Sequence, residues 1–225
     1  MDRPGHLEME GFRALRAGRP GEAAAKLAQA APLVRDDPTR LANLGAALAL
    51  AGDPAAARGA LERAVGLHPP CAAAFYNLGL LDRADGRLAS ARERLEQALA
   101  LDPAHLRARF ELGAVLMELG AHEPAITEFR AVLAVDPSDT DASANLARLL
   151  QAQGRYGEAL ACWETVKGDA TLPGRVRCLV GLGREAEARA LVRDRLARSP
   201  GDGAILLKAL AGGPRGCLPR RLDLV

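Results

Sequence analysis

Leu78-Gly79-Leu80-Leu81-Asp82-Arg83-Ala84-Asp85-Gly86 is one copy of a pattern that the chain carries several times. Its Leu-Gly pair returns as Leu44-Gly45 and Leu112-Gly113, 34 residues to either side. The glycine seven places on returns as Gly52, Gly120 and Gly154. A fixed period of this length marks a stacked helical repeat, in which one unit cannot bury its apolar face alone and successive copies bury it against one another.

Aligned on that period, units begin near Pro4, Pro38, Ala72, Leu106 and Thr140. Position 8 reads Gly11, Gly45, Gly79, Gly113, Ala147; position 20 reads Ala23, Ala57, Ala91, Ala125, Ala159. Small side chains there predict a close crossing of a first helix (A) and a second (B). Position 24 is large and apolar: Leu27, Leu61, Leu95, Phe129, Trp163. Position 15, with Gly18, Gly52, Gly86, Gly120 and Gly154, predicts the end of helix A, where a left-handed residue is wanted and glycine bears no Cβ penalty. Pro20 and Pro54 follow this turn, where a helix start has no use for the missing N–H. Asp102-Pro103 and Asp136-Pro137 stop helix B.

These columns, with proline at position 32 (Pro69, Pro103, Pro137), resemble the tetratricopeptide repeat over about residues 4–200. The resemblance implies an all-α solenoid, a right-handed superhelix of about five and a half helix pairs. A single array is expected over residues 1–211, with units near 4–37, 38–71, 72–105, 106–139 and 140–168. A degenerate unit at 169–202 lacks about five residues and so has a short helix A near Gly174–Leu182; a capping helix at 203–211 shields the last apolar face. The tail, 212–225, has no period and is expected to be disordered. Departures from the family pattern are Glu10 and Arg35 in the first unit, and Asp82 at an ordinarily apolar place, where loose packing is expected.

Composition narrows the function. Apolar residues make up 49% of the 225 but only seven are aromatic, which suits small-residue helix packing and not strands. A net charge of +2 argues against wholesale nucleic-acid binding. Residues 169–225 carry 11 basic and 6 acidic side chains, yet no aromatic platform accompanies those arginines. No run of eighteen apolar residues exists, so no membrane span is predicted. Cys71, Cys162, Cys178 and Cys217 show no metal or redox spacing and read as reduced thiols in a cytoplasmic protein.

Catalytic templates are absent: no GxxxxGK[ST] loop, HExxH pair or GxSxG elbow. Gly181-Leu182-Gly183-Arg184-Glu185-Ala186 fits a relaxed nucleotide fingerprint after the apolar run Val176–Val180, with Asp202 about 20 residues on. Gly183 reads equally as the helix-A stop of the degenerate repeat, which also accounts for Ala188, Val192 and Pro200. His6, His68, His105 and His122 fall on different units, with His68 and His105 in inter-repeat turns where exposed histidine is the default. No metal or other cofactor is implied.

What remains is a groove. The resemblance places helix A on the concave face and points positions 2, 5, 6, 9, 12 and 13 into it. Position 6 reads Asn43, Asn77, Glu111, Asn145, and an asparagine column offers donors and acceptors to any extended backbone. Tyr76 and Phe110 lie at position 5, and Arg107, Arg83 and Arg148 at positions 2, 12 and 9, with Arg107 one turn from Glu111. The carboxylate clamp of chaperone-binding relatives finds no register here: one start offers Glu8, Phe12, Asn43, Ala73 and Asn77, the next Ala42, Ala46, Asn77, Arg107 and Glu111. The expected function is therefore a non-enzymatic scaffold that holds a protein or peptide partner. The alternative is a substrate-recruiting arm of a glycosyltransferase- or sulfotransferase-type system, and self-association is a further possibility.

Overall fold

The structure, a computed structural model, describes residues 4–30, 37–166, 168–199, 201 and 203–211. Arg35, Pro200, Asp202, Cys217 and the tail at 212–225, each given a reading above, lie outside them. Every regular element among the described residues is helical. The chain divides into two compact units, 1–121 and 122–225.

The first unit contains α1 (Pro4–Arg16), α2 (Pro20–Ala30), α3 (Pro38–Leu50), α4 (Pro54–Val65), α5 (Ala72–Ala84), α6 (Leu88–Leu101) and α7 (Leu106–Glu118). Each A helix in it (α1, α3, α5, α7) is 13 residues long and begins where the period begins. Consecutive helices pack as antiparallel hairpins, and α3 also touches α5. The second unit contains α8 (His122–Val135), α9 (Thr140–Ala152), α10 (Tyr156–Thr165), a 3-10 turn at Asp169–Thr171, α11 (Leu172–Gly181), α12 (Glu185–Arg198) and α13 (Gly203–Ala211). There α11 is shortened to 10 residues, as the missing sequence predicts, and α13 packs on both α11 and α12. Leu206 and Ala209 form the inner face of α13, while Ile205 and Leu207 stay exposed, so this helix covers one apolar face and presents part of another.

The glycine-leucine pairing sets the distance between A and B helices. A Cβ on Gly45 would come within 2.4 Å of Leu61 Cγ, and one on Gly11 or Gly79 within 2.9 Å of Leu27 or Leu95 Cγ. The alanines of position 20 are fully buried beside them. Helix A then ends in the same turn each time. Gly52 has φ +85°, and the Asp53 N–H donates to the Leu48 carbonyl at 3.0 Å, closing a Schellman motif. The same bond runs from Arg87 to Asp82, from Arg155 to Leu150 and from Arg184 to Leu179. Helix B opens with Pro54 in its first turn and the Asp53 carboxylate capping the Ala56 N–H at 2.9 Å.

Position 34 caps the following A helix at Asp37, His105 and Asp139, though not at Cys71, a pattern that the sequence reading passed over. Asp37 accepts from the Thr39 and Arg40 N–H groups, and Asp139 from the Ala142 N–H at 2.8 Å. His105 does the same through Nδ1 to the Ala108 N–H at 3.1 Å.

Gly45→Ala should lower stability by about 1–3 kcal/mol because the new methyl lands on Leu61. Gly59→Ala, in α4 with open space around its Cα, should raise it by up to about 1 kcal/mol. Urea melts of the two variants check this pair, and a Gly45→Ala chain as stable as its parent would refute the contact.

Candidate functional site

On the first unit, α3 carries Asn43, α5 carries Tyr76, Asn77 and Arg83, and α7 carries Arg107, Phe110 and Glu111. Asn43 and Asn77 are half-buried, and neither side-chain amide bonds to another described residue. Both therefore keep a full donor and acceptor set. Tyr76 is half-buried, and its ring stacks on His105 with centroids 4.8 Å apart and planes tilted by 35°. Burial raises the Tyr76 phenol above its usual range and Glu111 adds to this, with Arg107 opposing. His105, expected as an exposed turn residue, is thus an N-cap and an aromatic neighbour at once; its place in the capping column was the available signal.

The charged residues sort differently from their expected pairing. Glu111 takes its partner from the preceding repeat, with Arg83 Nη1 at 2.6 Å from its Oε2. The same guanidinium donates through Nε to Glu118 at 2.9 Å. Arg83 is therefore closed by two carboxylates, one of which, Glu118, the sequence reading did not include. Arg107, expected opposite Glu111, is exposed and makes no ion pair among the described residues. On the second unit, Asn145 Oδ1 accepts from Arg148 Nη1 at 2.9 Å, and the Arg148 guanidinium lies 5.9 Å from the Trp163 ring centroid. The asparagine column consequently has two unengaged amides, one carboxylate in an ion pair, and one amide tied to its own helix.

Asp82 does not loosen its repeat. It is 4% exposed, and its carboxylate receives Arg58 Nη1 at 2.8 Å and Arg87 Nη2 at 3.0 Å. The reason lies in the turn. Arg19, Arg155 and Arg184 each pair with a glutamate three residues on, Glu22, Glu158 and Glu187. Arg87 has Ser90 at that place and turns to Asp82 and Asp85 instead. Arg58 reaches the same two acids from α4, so the network joins adjacent repeats.

The glycine fingerprint is accounted for by packing. Val176–Val180 is helical, Gly183 is the left-handed stop at φ +74°, and a Cβ on Gly181 would lie 2.4 Å from the Tyr156 ring. Gly174 similarly leaves room for Trp163. Cys178 is buried, and that burial pushes its thiol up to about 11. Among the described residues, no group of three or more histidines, cysteines or acids could hold a metal, and no helix is long and apolar enough to cross a membrane.

The sequence pattern of the tetratricopeptide repeat matches residues 43–90, 76–140 and 141–165. No curated protein matches the chain. Solved structures do. PilF of Pseudomonas aeruginosa is 19% identical at a TM-score of 0.74, over 88% of this chain and 92% of that one. YrrB, described as a TPR protein with an unusual peptide-binding site, is 19% identical at 0.74, over 83% and 98%. MamA from Desulfovibrio magneticus RS-1 is 25% identical at 0.60, over 73% and 92%.

Asp82→Ala should destabilise the chain by about 1.5–3 kcal/mol, the worth of hydrogen bonds to a charged group, since Arg58 and Arg87 can reach water once released. Asp82→Leu, which keeps the volume filled, should cost less. Chemical denaturation checks the order, and an Asp82→Ala chain equal to the parent would show the network to be idle.

Proposed function

Because this chain belongs to the tetratricopeptide repeat family, we propose that it is a non-enzymatic protein-interaction scaffold that holds an extended peptide segment or a partner helix on its A-helix face. The observation that carries this reading is the pair of unengaged amides, Asn43 and Asn77, one repeat apart on helices that touch. A peptide backbone repeats one N–H and one C=O per residue, and a carboxamide answers both whatever the side chains are. Half-buried Tyr76 and Phe110 stand beside Asn77 and Glu111 and would supply the apolar area from which most binding energy comes. The peptide-binding site attributed to YrrB supports the same reading by analogy of fold.

Two repeats' worth of contacts suits a dissociation constant on the order of micromolar, about −8 kcal/mol. Tighter assembly would come from avidity when a partner offers several segments. The proposed partners are proteins or peptides.

The test uses peptides selected on the whole chain from a random displayed library. Each lost amide-to-backbone bond is worth about 0.5–1.5 kcal/mol, so Asn43→Ala with Asn77→Ala should weaken the selected peptides about tenfold, with the helical circular dichroism spectrum unchanged. Equal affinity in parent and double variant would rule out this face as the binding surface.

A further inference from the structure

The turns that open the B helices carry an ion-pair column that one repeat breaks. Arginine stands one place after the left-handed glycine at Arg19, Arg87, Arg155 and Arg184. Three residues further on the chain reads Glu22, Ser90, Glu158 and Glu187. The three glutamates hold their arginines at 2.6, 2.8 and 2.7 Å. At Ser90 the carboxylate is missing, and Arg87 is bound to Asp82 and Asp85 instead. The Ser90 hydroxyl makes no hydrogen bond among the described residues.

Ser90 is half-buried in the first turn of α6, and the glutamates at the three equivalent places are exposed. An acidic group built onto Ser90 Oγ therefore extends toward solvent, on the side where the other repeats hold their turn arginine. Arg87 is free to answer it, because its side chain is 48% exposed and exposed pairs of this kind exchange readily with competing anions. Negative charge in the first turn of a helix is favourable, and α6 opens without a side-chain cap. The local sequence also singles this hydroxyl out. Of the serines and threonines in the chain, Ser90 alone has a basic residue three places before it.

We propose that Ser90 is a phosphorylation site, and that its phosphate takes Arg87 from Asp82 and Asp85 and leaves Asp82 to Arg58. A serine kinase supplies the group from ATP. The Oγ–P bond forms, the bond from the γ-phosphorus to the bridging oxygen breaks, ADP leaves with that electron pair, and the hydroxyl proton passes to the kinase's base. Phosphoserine carries a charge of about −1.5 to −2 and three acceptor oxygens, more than the glutamate it stands for. The modified turn thus regains the pairing of the other repeats, while the network between α4 and α5 loses one of its two guanidiniums. Ser90 lies on a B helix, so this switch does not rest on the Asn43 and Asn77 surface.

The test has two parts. The whole chain is incubated with ATP and a purified serine kinase selective for arginine three residues before its target, and the modified residue is located by mass spectrometry. Phosphate is expected on Ser90 and on no other residue, and none is expected on Ser90→Ala; a folded parent chain left unmodified at Ser90 would overturn the site. The phosphorylated chain is then titrated by phosphorus NMR at low salt. The second ionisation of the phosphate should fall about half a pH unit lower than in the same chain carrying Arg87→Gln, the effect of one exposed ion pair. Equal midpoints would overturn the exchange of partners. Independently of any kinase, a double-mutant cycle measures the coupling between Arg87→Gln and Asp82→Asn. That coupling should drop by at least half when Ser90→Glu is added, with the helical circular dichroism spectrum unchanged, and an undiminished coupling would show that Arg87 stays with Asp82.

Discussion

Leu61 occupies the space that any side chain on Gly45 would need, and the rest of the first unit is arranged around contacts of that kind. With no Cβ at position 8, helix A settles onto the branched leucine of helix B, and a fully buried alanine at position 20 completes the seam. Burying a leucine contributes about 1.5–3 kcal/mol, so a few such seams supply much of the net stability of a small domain. Glycine costs about 1 kcal/mol in a helix interior, and the closeness it permits offsets that. The left-handed glycine seven residues later then turns the chain back at a fixed angle, so spacing and direction are both set within one repeat.

Arginine binds the repeats together in a second, more variable way. The turn arginine pairs locally with a glutamate wherever one stands three residues on, and where serine replaces it the arginine reaches Asp82 and Asp85. That exchange explains how a carboxylate came to be buried at a position that is otherwise apolar. A carboxylate met by two guanidiniums, each still partly in water, avoids the uncompensated charge that makes buried ions costly.

The same chemistry decides which polar groups remain for a partner. Ion pairing withdraws Arg83, Glu111 and Glu118 from the A-helix face of the first unit and leaves Asn43 and Asn77 unengaged. In the second unit it engages Glu158, Glu187 and Asp169, while Arg148 and Arg177 have no carboxylate partner among the described residues. One repeat register thereby leaves different polar groups unengaged in its two units. Function on such a frame depends on these local differences, since the frame itself is common to many proteins.

The sequence by itself determined the period, the helix starts at Pro4, Pro38, Ala72, Leu106 and Thr140, the left-handed glycines and the shortened α11, because each follows from backbone sterics or from volume within one hairpin. It also singled out position 6, a column of amides broken by Glu111, as the expected place of recognition. Only the tertiary structure decided that Glu111 meets Arg83 and not Arg107, and that His105 caps a helix under Tyr76. Long charged side chains span several ångströms and have many rotamers, so their partners depend on which neighbouring helix comes within reach, and a linear spacing rule does not contain that distance.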